Sequence, residues 1–163
     1  MMKVLPVLIG ATMLLGACTS LPDNSPKTPV VHAENKMMKQ QTIKSKYSFE
    51  QTVERLTAAI QSKGMAVFAT IDHQQAAKEA GLDMQPATVI VFGNPKAGTP
   101  LMIQEPTFAL QLPLKVLVTQ VDDEVLVSFN DTKAMIGQTN INYTQVENTL
   151  VGAEKLIIKT VSE

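Results

Sequence analysis

Three places in the chain hold residues that could do chemistry. Cys18, the sole cysteine, follows Leu15-Gly16-Ala17 and offers a thiol for covalent modification. His73, beside Asp72, offers an imidazole to a proton or a metal. The run Gly93-Asn94-Pro95-Lys96-Ala97-Gly98-Thr99-Pro100 combines two glycines, a cation and helix-capping residues, a set that can present backbone N–H groups to an anion.

Spacing narrows the third of these. Gly93 and Gly98 have the separation of a phosphate loop, but such a loop continues with Lys-Ser/Thr, and here Thr99-Pro100 follows. Pro100 has no N–H to give a phosphate. The residues instead predict Thr99 as an N-cap and Pro100 as the first residue of a short helix, with Gly93 and Gly98 permitting tight turns. A helix N-terminus beside Lys96 suits a small anion, so Asn94, Lys96 and Thr99 are candidate ligand-binding residues.

His73 joins them as a fourth candidate. It is the only histidine of the folded part, and one imidazole builds neither a catalytic triad nor a zinc site, which takes three or four protein ligands. A haem iron needs a single imidazole, so a haem role stays open, with Met102 or Met135 as second ligand. The competing reading has His73 serving the start of a short helix. No serine-hydrolase elbow, zinc-protease helix or dinucleotide fingerprint occurs. No catalytic residue and no metal ligand is assigned, and the cofactor is left unknown.

Cys18 is the most specific of the three. Lys3 gives a positive flank, Val4 to Gly16 an uncharged stretch broken by Pro6 and Thr12, and the cysteine follows two small residues. The run is shorter than the ~20 apolar residues of a membrane span. This looks like a bacterial lipoprotein signal, with residues 1–17 removed and Cys18 lipidated as the mature N-terminus. An ordinary secretory signal with an incidental cysteine is the alternative, but a cysteine in an oxidising compartment usually has a partner, and Cys18 has none. The lipid makes the membrane a partner of the chain. Thr19, where an Asp would favour the inner membrane, points to the outer membrane facing the periplasm.

Charge excludes one class of partner. The chain has 14 basic and 15 acidic residues; residues 1–17 carry one Lys and no acid, leaving 13 and 15, or −2. A nucleic-acid binder would cluster cations, whereas this chain has no polybasic stripe, a lone arginine at Arg55 and no Trp.

The elements that must position these groups begin after a linker. Residues 18–41 carry Pro22, Pro26 and Pro29 among polar residues and read as a flexible tether reaching roughly 25 Å. His32, Met37 and Met38 within it lack the converging ligands of a metal site. The folded domain is set at residues 42–163, with a first strand over Thr42–Tyr47. Ser48 then caps a helix whose apolar face is Phe49, Val53, Leu56 and Ile60, ended by Gly64. Met65–Ile71 is a strand, Asp72 caps a small helix closed by Gly81, and Ala87–Phe92 is a buried strand. Leu114–Val121 and Glu124–Phe129 form a hairpin about Asp122-Asp123, and Tyr143–Val161 is one amphipathic helix. That order predicts an α+β fold, a compact antiparallel-rich sheet covered by helices.

Several of these stretches, taken in order, are similar to the family called domain of unknown function 302. They are Ile71-Asp72-His73, Ala80-Gly81-Leu82, Phe92-Gly93-Asn94-Pro95 through Thr99-Pro100-Leu101-Met102, and Leu112-Pro113-Leu114-Lys115. The resemblance covers about Tyr47 to Ile136. It implies a small α+β fold of the TATA-binding-protein-like class, without DNA binding, and a homodimer. Two departures stand out: Gln111 replaces an Asp often found before the Leu-Pro, and Ala134-Met135-Ile136-Gly137-Gln138 replaces a His-containing stretch.

Together these features predict a non-enzymatic envelope lipoprotein whose domain binds a small ligand, an anion among the candidates, or a partner protein. Two alternatives are a haem- or redox-associated periplasmic protein using His73, and a structural envelope assembly factor.

Overall fold

The computed structural model describes residues 39–163; the signal segment, Cys18, His32, Met37 and Met38 lie outside the described residues. Five strands, β1 (Gln40–Lys44), β2 (Ala66–Asp72), β3 (Ala87–Gly93), β4 (Leu114–Val121) and β5 (Glu124–Asn130), form one sheet in the order β1-β5-β4-β3-β2. Every neighbouring pair is antiparallel, as in the predicted α+β class. The β4–β5 hairpin turns at Asp122-Asp123, where Asp122 takes φ 52°. An Asp tolerates that left-handed conformation because its short side chain can bond locally.

Helix α1 (Phe49–Ser62) starts where the sequence predicts: the Ser48 hydroxyl accepts from the Gln51 N–H and the Gln51 side chain accepts from the Ser48 N–H. Gly64, at φ 69°, ends it, as only glycine adopts readily. Leu56 and Ile60 of α1 bury themselves beside Ala153, Ile157 and Val161 of α6 (Leu150–Ser162), over a sheet face formed by Ile90, Phe92, Val116, Val118 and Val127. The apolar stripes of the two helices meet each other as well as the sheet.

The opposite sheet face is unusual. β3 is apolar on both sides, and Val89 and Val91 turn away from the helices along with Leu117 and Leu126 of the adjoining strands. All of these remain half-buried. Strands apolar on both faces ordinarily have cover on both.

A second apolar cluster lies outside the sheet and was not foreseen as a unit. It gathers Leu101, Phe108, Met135, Ile136, Val146 and Leu150 from α3 (Pro95–Gln104), a 3-10 turn (Pro106–Leu110), α4 (Thr132–Ile136), α5 (Tyr143–Val146) and α6. The Glu154 carboxylate of α6 accepts the Thr132 N–H, fastening α4 in place.

Four local expectations need correction. The cap of α3 is Asn94, whose Oδ1 accepts from the Lys96 N–H at 3.0 Å, and Pro95 is its first residue. Asn-Pro thus offers the same cap-and-proline chemistry five residues before Thr99-Pro100, and Pro100 falls inside the helix, leaving the Lys96 carbonyl without its usual donor. Neither Gly93 nor Gly98 makes a left-handed turn: Gly93 ends β3, and Gly98 is buried within α3.

The C-terminal helix is two helices. α5 stops at Val146 and α6 starts at Leu150, with Thr149 at φ −118° and ψ −87°. Asn148 and Thr149 compete for backbone hydrogen bonds, and the Thr149 hydroxyl donates to the Val146 carbonyl at 3.3 Å. The first strand also runs two residues early and stops at Lys44, because Ser45 turns inward to meet Thr52.

Candidate functional site

Between the two apolar clusters lies a cavity of about 550 Å³. Ala153 of α6, from the sheet core, shares its wall with Leu112 and Leu150, from the second cluster, and with Leu114 of β4, which packs against both. Met65 and Phe68 close one side; Pro95, Ala97, Gly98 and Met102 of α3 form another. Phe68 is available for this because the β2–β3 register slips between Val67 and Ala69, so the ring sits at a bulge, 54% exposed.

Close packing shapes the α3 wall. A Cβ added to Gly98 would stand 3.1 Å from Leu112 Cδ1, so the glycine lets the helix lie against the Leu112-Pro113 segment. A Cβ at Gly93 would meet Phe68 and Pro113 at ordinary distances, 3.5 and 3.7 Å.

Polar groups are few among the apolar ones: Lys63, Asn94, Thr99, Asn148 and Thr149. Asn94 spends Oδ1 on its capping bond, which leaves its amide Nδ2 as a donor among the described residues. Asn148 and Thr149 occupy the break between α5 and α6, so the interruption of the helix is what brings their side chains to the wall. Such a lining, mostly apolar with a few polar groups, is typical of small-molecule sites, as is the volume.

The four candidate residues are thereby divided. Asn94 and Thr99 line the cavity together, while Lys96, two residues past the cap and exposed, does not. Its place as the cation is taken by Lys63, at the C-cap of α1. His73 is exposed at the first position of α2 (His73–Glu79), outside the lining. The neighbouring Asp72 carboxylate is engaged with the Gln75 N–H at 2.9 Å, capping α2 instead of orienting the imidazole. Of the methionines considered beside His73, Met102 lines the cavity and Met135 is buried in the second cluster.

Sequence reasoning missed Lys63, Asn148 and Thr149. A trace of the last two was present, since Asn-Thr is a poor pair for a helix interior. Neither Gln111 nor the stretch 134–138 lines the cavity. Met135 and Ile136 pack into the second cluster. Gln111 borders a void of about 10 Å³ beside Lys115 and Glu154, too small to hold more than water.

Asp131 carries the clearest electrostatic perturbation. Partial burial pushes its carboxyl pKa up, but hydrogen bonds from the Ala134 N–H and the Gln41 amide, the Lys39 charge and the Lys133 N–H outweigh that and hold it below the usual value. The group caps α4 and ties it to β1, and it lies outside the cavity lining.

Comparison with known proteins agrees with this fold. The fluoride-specific ion channel FluC 1 of Brucella suis biovar 1 (strain 1330) is 46% identical over 76 residues, 47% of this chain and 30% of that protein. FluC 2 of Brucella melitensis biotype 1 (strain ATCC 23456) is 46% identical over 76 residues, 28% of its length. The chain therefore spans under a third of these curated relatives, and no helix among the described residues is long and apolar enough to cross a membrane. The crystal structure of an uncharacterized conserved DUF302 protein from Bacillus stearothermophilus matches with a TM-score of 0.64 at 19% identity, over 77% of this chain and 98% of that one. The shared fold thus takes in nearly all of that relative's chain. Residues 41–157 match the family described as Domain of unknown function DUF302, and the chain belongs to that family.

Proposed function

We propose that this domain is a non-enzymatic binding module that holds a small, largely apolar ligand, and that it works at the cell envelope, tethered through lipid on Cys18. The observation that carries the binding reading is the cavity of about 550 Å³ between the two apolar clusters. Its lining offers hydrogen-bond donors and apolar surface, and no Asp, Glu or His to serve as general base. Burial of each ligand methylene there contributes about 0.8 kcal/mol, so affinity grows with the apolar part of the ligand.

The test is native mass spectrometry and fluorescence titration of residues 39–163 with an environment-sensitive apolar dye. Saturable dye binding, weakened by Thr99→Trp at the cavity wall, is expected. Binding that is unsaturable, or indifferent to Thr99→Trp in a folded variant, overturns the reading. Haem found in the purified protein and lost in His73→Ala would favour the redox alternative.

The tether reading is separate. Several acyl chains on Cys18, each methylene again worth about 0.8 kcal/mol, hold a protein stably where one chain does not. The partial likeness to Brucella channel proteins supports a setting beside a membrane and carries no channel activity over. Cys18→Ser is expected to move the protein from the membrane to the soluble fraction and remove the acyl mass; retention on the membrane sinks the proposal.

For quaternary structure we propose a homodimer through the face of Val89, Val91, Leu117 and Leu126, since a second copy would supply the cover that this half-buried apolar surface lacks. Assembly through this surface would also serve a structural envelope factor, which differs in having no need of the cavity.

A further inference from the structure

The cavity has one formal charge on its wall. Lys63 is the single ionisable residue among those that line it, and no carboxylate faces it from α3, α6 or the Leu112–Leu114 segment. The last turn of α1 does not need the ammonium. The Ala59 carbonyl accepts from the Ser62 hydroxyl, the Ile60 carbonyl from the Lys63 and Met65 N–H groups, and the Gln61 carbonyl from the Gly64 N–H. Nor does the ammonium take part in an ion pair among the described residues. It is exposed, so a head group can reach it with part of its own hydration retained. Asn94, Thr99 and Asn148 add neutral donors to the same lining.

The remainder of the wall is hydrocarbon and thioether: Met65, Phe68, Met102, Leu112, Leu150 and Leu156 among others. Methionines adapt to flexible apolar partners better than branched side chains do. A methylene occupies about as much space as a water in the liquid, roughly 30 Å³, so a cavity of about 550 Å³ has room for a chain of at most about eighteen carbons. From a positive rim on an apolar cavity with no opposing acid, we infer that the ligand is a single-chain amphiphile with an anionic head, the chain inside and the head at Lys63. This deepens the binding reading and rests on it. Both a free fatty carboxylate and a lysophospholipid phosphate have that chemistry.

The experiment is calorimetric titration of residues 39–163 with decanoate, decanol and decyltrimethylammonium, repeated on Lys63→Gln. Decanoate is expected to bind tighter than decanol, and decanol tighter than the cation. Lys63→Gln should weaken decanoate about five-fold and leave decanol unchanged, the scale of one exposed charge pair. Equal affinities for decanoate and decanol in the unmodified domain, or an equal loss for all three probes in Lys63→Gln, overturn the charge preference while leaving an apolar site standing. No binding of any probe overturns the site itself. Titration with decanoyl lysophosphatidylglycerol then assigns the source, since tighter binding than decanoate favours a lipid head group and weaker binding a free carboxylate, and either ranking upholds the anionic head.

Discussion

Gly98 and Leu112 approach so closely that a methyl group on the glycine would stand 3.1 Å from Leu112 Cδ1. Leu112 has freedom to yield, because its other side borders the cavity. Gly98→Ala is therefore expected to stabilise α3 by about 0.5–1 kcal/mol through helix propensity, as the leucine shifts into open volume. Dye affinity should fall in the same variant as the cavity shrinks. Denaturant unfolding together with titration checks both, and a loss of stability would show that Leu112 is held rigidly.

The Ser45 and Thr52 hydroxyls meet at 2.7 Å in a buried site, and Thr52 also donates to the Ser48 carbonyl at 2.7 Å. Thr52→Val keeps the shape and removes the hydroxyl. A cost of about 1–2 kcal/mol is expected from the partners left short of a hydrogen bond. Thermal unfolding that is unchanged would argue that water reaches Ser45.

Asp131 should make stability fall in acid. Its folded pKa is depressed, so its contribution is complete above the unfolded value of about 3.9 and is lost as pH falls through the lower folded value. Asp131→Asn is expected to flatten the pH dependence of unfolding below about pH 4. Asp131→Ala should further lose the α4 cap, about 1 kcal/mol at neutral pH. An acid limb unchanged in Asp131→Asn would assign it to other carboxylates.

Leu117 lies on the uncovered sheet face, opposite Val89 in the register. The proposed homodimer predicts that the unmodified domain will sediment as a dimer and Leu117→Lys as a folded monomer. A dimer that survives the charge must use another surface.

The parts of the fold legible in sequence were those with strong local signals. Ser48, Asp72, Gly64 and the continuous apolar run of β3 each specify a boundary or an element by their own chemistry. The stretches on either side of the hairpin, residues 94–110 and 132–149, were harder: two caps competed at Asn94-Pro95 and Thr99-Pro100, and the helix starts at the first. The 3-10 turn and α4 are too short for periodicity to reveal. Two cavity residues, Asn94 and Thr99, were reachable because the motif that marks them also caps or extends α3. Lys63 was not, since it reaches the site from the far end of α1, thirty-one residues before Asn94, through tertiary folding alone.

The position of the cavity, between a sheet core and a satellite cluster, makes occupancy a matter of cohesion. Ala153 on one bank and Leu112 and Leu150 on the other would share a single guest, which would add a bridge to the one that Leu114 and α6 already make between the two bodies of hydrocarbon. A ligand at a hundred times its Kd adds about 2.7 kcal/mol to such a structure. Its departure would loosen α3, α4 and α5 before it loosened the sheet, so that amide exchange in those helices would report whether the domain is loaded.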